Sequence, residues 1–281
     1  MTKSPKPKYQ KGRRKCIFCG EFEVSKEHVL PDWLKELFPR DEHSTHTFGT
    51  IDPSSIIGAP RIVQTKRPGH SGTVKVRVVC ESCNNGWLSR LEKTAKPILI
   101  PLINGERCGL TLEKQMTIAT WAAKTVMTAE HLRPREKGVS QAERSGLKEH
   151  LIPPPYWTVW LVEYDGEAWR NLGMHQGRGR LQKSPIRSPT AKSHYIHATT
   201  LGIGRVVFLV VGTTWESAPE VFRRFDGRGL FRIWLPLPRS ILWPPGEPLG
   251  DPQVNALANI LTQSGVFNQS LNPLANWAFT P

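Results

Sequence analysis

Residues 73–79, Thr-Val-Lys-Val-Arg-Val-Val, alternate strictly, with Val74, Val76 and Val78 on one face of a predicted strand and Lys75 and Arg77 on the other. Upstream, residues 15–30 read as a turn and hairpin. Pro31 suits a first helical turn, and Trp33, Leu34, Leu37 and Phe38 then share one face of a short helix ended by Pro39. The Gly-, Pro- and Ser-bearing stretch over roughly 40–70 reads as a polar loop, in which Lys66, Arg67 and His70 are candidate phosphate contacts. Downstream, Trp87, Leu88, Leu91 and Ala95 predict a helix opening at Asn84 and closing at Pro97. Leu112, Met116, Ala119, Ala123, Val126 and Met127 give the stripe of a longer helix over 111–132, with Trp121 near its edge. Ser140 and Glu143 form a capping-box pattern for a further helix to about Leu151.

Three prolines at 153–155 end that helical stretch, and the pattern changes beyond them. Apolar runs become short and β-rich at 156–164, 194–201, 205–213 and 230–235, with turn signals at Asp165-Gly166 and at Gly202 and Gly204. Asp251 and Pro252 predict the start of a helix over 252–263. The chain is thus expected to be α+β, with a basic flexible tail over 1–14, a first domain over 15–152 and an antiparallel β-rich domain over 153–281. Seven of the ten tryptophans lie beyond residue 151, where burial in a sheet core is their expected fate.

Charge changes the picture next. The formal net charge is +14, and residues 1–15 carry half of it, with Lys3, Lys6, Lys8, Lys11, Arg13, Arg14 and Lys15 unopposed by any acid. Lysine and arginine on phosphates release condensed counterions, so this balance favours a polyanionic partner such as DNA. Lys11, Arg13, Arg14, Lys15, Lys75 and Arg77 are the candidate contacts. A second basic stretch, 170–192, carries Arg170, Arg178, Arg180, Lys183, Arg187 and Lys192 without an acid. No apolar run reaches the ~18 residues of a membrane span. The Lys/Arg-rich amino terminus lacks the apolar segment of a secretory signal, so a cytoplasmic location is expected.

Four of the five cysteines form two Cys-x-x-Cys knuckles, Cys16/Cys19 and Cys80/Cys83, each beside polar or basic residues. Two chelating pairs of thiolates are what a closed, tetrahedral structural Zn²⁺ requires. The pairs are about sixty residues apart, but loop-closure entropy adds only roughly 1 kcal/mol over a twenty-residue loop. Zinc binding, at about 10–16 kcal/mol, exceeds that cost. Cys108 fits no pattern.

Cys-x-x-Cys, then Glu27-His28-Val29-Leu30-Pro31, then Cys80-Glu-Ser-Cys83-Asn84 resembles the zinc-bearing HNH endonuclease family over residues 16–96. The resemblance implies a ββα-metal domain, in which a hairpin and one helix clasp a divalent ion. It implies His28 as general base, and Glu27 and Asn84 as ligands of a catalytic Mg²⁺ or Mn²⁺. The chemistry asks for these types independently, since an anionic phosphodiester needs a cation on its oxygens and a base for the attacking water. The family's middle Asn has no counterpart, because residues 29–79 contain no Asn; a backbone carbonyl, Gln64, His70 or Lys75 is the available substitute. A non-catalytic zinc-knuckle nucleic-acid-binding protein is the alternative reading.

Other features read as structural. His43 and His46 are expected at the surface, and His194 and His197, three apart on a strand, face opposite sides. The Gly177-Arg-Gly-Arg180 and Gly227-Arg-Gly229 stretches read as turns with exposed arginines.

Overall fold

The computed structural model describes residues 14–39, 45–51, 62–68, 71–132, 138–182, 193–217, 222–227, 229–235, 239–259 and 278–280. Lys15 and Phe22 bridge across the first knuckle, and the chain enters strand β1 (Val24–His28). Helix α1 (Leu34–Leu37) follows. Leu34 is fully buried and Leu37 is 37% exposed, so only part of the predicted face packs.

The expected loop over 40–70 instead contains a hairpin, β2 (Thr45–Ile51) antiparallel to β3 (Ile62–Pro68). Both strands pair only with each other among the described residues. His46 lies on β2, and Lys66 and Arg67 on β3; His43 and His70 fall outside the described residues.

Strand β4 (Lys75–Cys80) pairs antiparallel with β1, from His28↔Lys75 to Val24↔Cys80. The ladder runs from Lys26↔Arg77 directly to Ser25↔Val79, so Val78 is an extra residue, a bulge that breaks the predicted alternation and buries Val79 alongside Val76. The freed Val78 carbonyl accepts the Ile17 N–H at 2.9 Å, which docks the first knuckle on this strand.

A helix then begins three residues earlier than the pattern predicts, as α2 (Glu81–Cys83), passes through a wide turn at Asn84–Leu88, and continues as α3 (Ser89–Asn104). Pro97 does not end it. Pro97 is exposed and so is Lys93, four residues back, so the carbonyl that the proline leaves unpaired reaches water. Ala95, Leu99, Leu102 and Ile103 are buried on the opposite side, and that packing outweighs a local cost of about 3 kcal/mol. The helix stops at Gly105, whose φ of 74° is open to glycine at little cost.

Strand β5 (Cys108–Leu110) leads into α4 (Leu112–Ala129), capped by the Thr111 hydroxyl, which accepts the Lys114 N–H. Leu112 and Met116 are exposed, but every residue from Ile118 to Ala129 is buried, so α4 is a central helix and not an amphipathic one. Helix α5 (Gln141–His150) starts at the predicted capping box of Ser140 and Glu143.

The remaining strands are β6 (Thr158–Glu163), β7 (Gly173–Gln182), β8 (Ser193–Ile203), β9 (Val206–Thr213), β10 (Phe231–Trp234), β11 (Ile241–Trp243) and, after helix α6 (Asp251–Ala258), β12 (Ala278–Thr280). Six of them form one antiparallel sheet in the order β10-β6-β9-β8-β7-β12. The described protein is therefore mixed α+β with antiparallel sheets.

Asp165-Gly166 does not close a hairpin, because β6 and β7 are separated in the sheet by β9 and β8. Gly177-Arg-Gly-Arg180 is not a turn but lies inside β7. Its glycines hide the strand from an apolar count, and Gly173 and Gly202, opposite each other on β7 and β8, are needed because a Cβ at either would stand within 3 Å of Trp169. Asp251 does not cap α6 either; Gly250 holds that position, while the Asp251 carboxylate accepts from the Tyr164 hydroxyl and from the Glu167 and Ala168 N–H groups.

The central strands are buried on both faces. Val159, Leu161, Val206, Phe208 and Val210 face a cluster shared with α3, α4 and the first knuckle; Trp160, Val162, Val207, Leu209 and Val211 face Phe222, Phe225 and α6. The first cluster is continuous across Pro153–Pro155, taking Phe18, Leu99 and Trp121 from one side of that run and Trp157, Phe208 and Trp243 from the other. Strand β5 pairs with β11 across the same divide. No helix among the described residues is long and apolar enough to cross a membrane.

His194 is half-buried and His197 fully buried, as their opposite faces require. His197 packs edge-on against Trp157, and burial, with Arg178 and Arg144 adding to it, lowers its pKa to about 3. Unfolding returns that imidazole to an ordinary value of about 6.5. The neutral form is thus favoured by the fold, and the stability it confers is present above 6.5 and is lost as pH falls toward 3. Denaturant titration is expected to show the wild type losing about 2–3 kcal/mol more than His197→Leu between pH 7 and pH 4.5. Equal losses would place the acid sensitivity elsewhere.

Candidate functional site

The first knuckle is a tight turn in which Gly20 N–H reaches the Cys16 carbonyl at 2.9 Å and Cys16 N–H reaches Glu21 at 2.7 Å. Its outer side is held by α5, with Gln141 Nε2 donating to Ile17 at 3.0 Å and Ser145 Oγ to Phe18 at 3.3 Å. Phe18 also meets Trp87 edge-on, with ring centroids 4.9 Å apart. The second knuckle is the start of α2, with Cys80 at the capping position.

These two turns bring the sulfurs of Cys16, Cys19, Cys80 and Cys83 within 4.8 Å of one another, and all four are free thiols. A Zn–S bond of about 2.3 Å implies sulfur separations of about 3.8 Å in a tetrahedron, so this cluster can hold such an ion with little adjustment. Cys16, Cys80 and Cys83 are buried, which suits a closed structural site without a water ligand. Burial pushes the Cys80 thiol up, but hydrogen bonds from the Ser82 hydroxyl and the Cys83 N–H, with Cys19 and Cys16 adding to them, bring it down to about 6. Burial raises Cys83 and Cys19 in the absence of an ion. Cys108 is half-buried and apart from the cluster, its thiol raised by burial.

Closing the knuckles sets β1 beside the helix that follows β4. Asn84 Nδ2 approaches the Ser25 hydroxyl at 3.4 Å and the Lys26 carbonyl at 3.5 Å, tying the wide turn to β1. The expected helix opening at Asn84 is therefore one turn off. The amino end of the helix points at the cysteines, and Asn84 lies past it, in a π-type turn where Gly86 leaves helical geometry.

Between β1 and this helix lies a polar cleft of about 190 Å³ whose walls include Glu27, His28, Asp32, Asn84 and Glu92. The sequence-derived trio of Glu27, His28 and Asn84 thus borders one space. His28 Nε2 lies 3.3 Å from Asp32 Oδ1, and Lys35 holds the other Asp32 oxygen. Burial and Lys75 lower the His28 pKa, with Asp32 and Glu92 opposing. Hydrogen bonding to Lys35 holds the Asp32 carboxyl below its usual value. With Nε2 on the Asp32 side, a ring protonated on that nitrogen alone has Nδ1 as its basic nitrogen.

Glu27 is nearly buried, its side chain 7% exposed, and Oε1 is 3.6 Å from Lys124 Nζ. Lys124 is fully buried and bonds Glu92 Oε1 at 2.8 Å. Burial pushes the Glu27 carboxyl up, and Lys124 works against that shift.

Asp32, Glu92 and Lys124 were not anticipated, although each left a trace. Asp32 follows His28 by four residues. Glu92 is eight residues, just over two helical turns, beyond Asn84. Lys124 is the only charge between Lys114 and Glu130. Lys75 is not seen to bond the His28 ring, while His70 and the side chain of Gln64 fall outside the described residues; the carboxylate 3.3 Å from Nε2 is that of Asp32.

Of the expected phosphate contacts, Lys75 and Arg77 are exposed on β4 beside the cleft strand, and Arg14 and Lys15 are exposed, with Lys15 over the Phe22 ring at 5.3 Å. Lys11 and Arg13 lie outside the described residues, as do Lys183, Arg187 and Lys192. Arg178 is not a solvated turn residue: its side chain is 12% exposed and 4.0 Å from buried Glu130. No protein-family model, no curated protein and no solved structure matches this chain.

Purified protein is expected to carry one zinc per chain by elemental analysis. Cys83→Ser is expected to lose that zinc and about 3 kcal/mol or more of stability, a fall in melting temperature of roughly 10 °C. A variant that melts like the wild type would show that the cluster holds no structural ion.

Proposed function

We propose that the chain is a metal-dependent endonuclease of HNH type that hydrolyses DNA phosphodiesters, with β1, β4 and the helix from Glu81 as its ββα-metal element. One observation carries the reading: an imidazole, an amide and a carboxylate, those of His28, Asn84 and Glu27, border one polar cleft, and Asn84 directly follows Cys83 of the four-cysteine cluster.

His28 is the general base. Asp32 fixes its ring through Nε2, the role the family's middle Asn otherwise fills, and Nδ1 takes the proton of the attacking water. Glu27 and Asn84 are the ligands for Mg²⁺ or Mn²⁺, an ion that supplies polarisation of the scissile phosphate and stabilisation of the leaving 3′-oxygen. The cysteine-bound zinc has no part in the reaction. Lys75 and Arg77, together with Arg14 and Lys15 and the basic residues before them, track the DNA backbone, consistent with a net charge of +14. A zinc held by four thiolates is consistent with a reducing compartment such as the cytoplasm.

The second reading is a zinc-knuckle nucleic-acid-binding protein without catalysis. The contact between Glu27 and Lys124 favours it, because a cation already neutralises the carboxylate the metal would use. Cleavage of plasmid DNA with Mg²⁺ or Mn²⁺ separates the two. His28→Ala is expected to cut about 10²–10⁴-fold more slowly while binding DNA as tightly as the wild type. A wild type that binds DNA and cuts no substrate would leave the binder.

A further inference from the structure

Lys124 occupies an unusual place for a lysine. It sits midway along α4, fully buried, where an ammonium costs several kcal/mol unless it is paired. It pairs with two carboxylates from different elements of the cleft wall, Glu27 from β1 at 3.6 Å and Glu92 from α3 at 2.8 Å. Lys124 is thus the point at which the helix underlying the large sheet reaches the cleft.

We infer that Lys124 is a positioning residue of the site: its ammonium fixes the Glu27 and Glu92 carboxylates in place and keeps a divalent ion at the Asn84 side of the cleft and out of the space between the two glutamates. The inference rests on the nuclease reading. The charge arithmetic is simple. Glu27, Glu92 and Lys124 together carry −1. Lys124→Met leaves −2, with two nearby carboxylates and no cation between them. Glu92→Gln alone gives 0, and the double variant Glu92→Gln/Lys124→Met returns to −1.

Two quantities move in opposite directions if Lys124 positions the site. Calorimetric titration with Mn²⁺ is expected to show Lys124→Met binding the ion about tenfold more tightly, since each added unit of negative charge this close attracts a dication strongly. The same variant is expected to cut DNA at least about tenfold more slowly at saturating Mn²⁺, because the ion is drawn away from His28. Glu92→Gln binds Mn²⁺ more weakly than the wild type. The double variant returns the affinity to within about threefold of the wild type, by the same charge count.

Zinc content and melting temperature verify that each variant is folded. Should Lys124→Met fail that check, Glu92→Gln and the double variant make the same comparison. Weaker Mn²⁺ binding by Lys124→Met in a wild-type background that binds the ion and cuts DNA overturns the inference and leaves the nuclease reading standing, as does a double variant bound no more tightly than Glu92→Gln. A wild type that binds no Mn²⁺ and cuts nothing overturns both.

Discussion

Four sulfurs within 4.8 Å of one another set the geometry of this protein's amino-terminal half. Two come from a turn before β1, one from the last residue of β4 and one from the first helical turn after it, so drawing them together fixes where β1 can lie relative to that helix. The Val78 bulge serves the same closure by giving its carbonyl to Ile17. From this constraint follow the approach of Asn84 to β1 and the cleft that His28 shares with it. β1 and β4 form a sheet of only two strands, which is marginal alone, so the arrangement depends on this closure together with burial of Val24, Val79 and Leu88 in the core.

The second support is electrostatic and comes from below. Helix α4 is buried from Ile118 onward and touches both the cleft and the large sheet. Through Lys124 it supplies the charge that two carboxylates of the cleft need. At its far end Glu130 is bonded by Arg144 and by the Gly138 and Val139 N–H groups, which anchors α5, and α5 in turn holds the first knuckle through Gln141 and Ser145. Arg178 of β7 lies 4.0 Å from Glu130, so a chain of polar contacts, buried at Glu130 and Arg144, links the sheet to the first knuckle, and Trp121 against Phe208 adds an apolar one.

Elements whose pattern is dictated by one dominant interaction were legible in the sequence. The cysteine spacing, the Ser140 capping box, α4 and the apolar strands β6, β8, β9 and β10 are of this kind. Elements decided by competition were not. Pro97 reads as a stop, yet the burial of Leu99, Leu102 and Ile103 carries α3 past it. Strand β7 carries three glycines, of which Gly173 leaves space for Trp169, and they erase its alternation. Asp165-Gly166 has turn chemistry, but the partner of β6 is chosen by the long apolar β9. In the site, Glu27, His28 and Asn84 were found because they flank the knuckles. Asp32, Glu92 and Lys124 are brought in by packing between distant segments, and a single sequence holds only their isolated charges.

The central claim is that the sulfur-held closure assembles the cleft. It is tested most directly by nuclear magnetic resonance of the His28 ring protons and the Asn84 side-chain amide during addition of Mn²⁺, first with zinc in place and then after its removal. The account predicts that both sets of signals broaden together in the zinc-loaded protein and that this joint response disappears when zinc is withdrawn. Joint broadening that persists without zinc, or broadening of one group and not the other with zinc present, would contradict it.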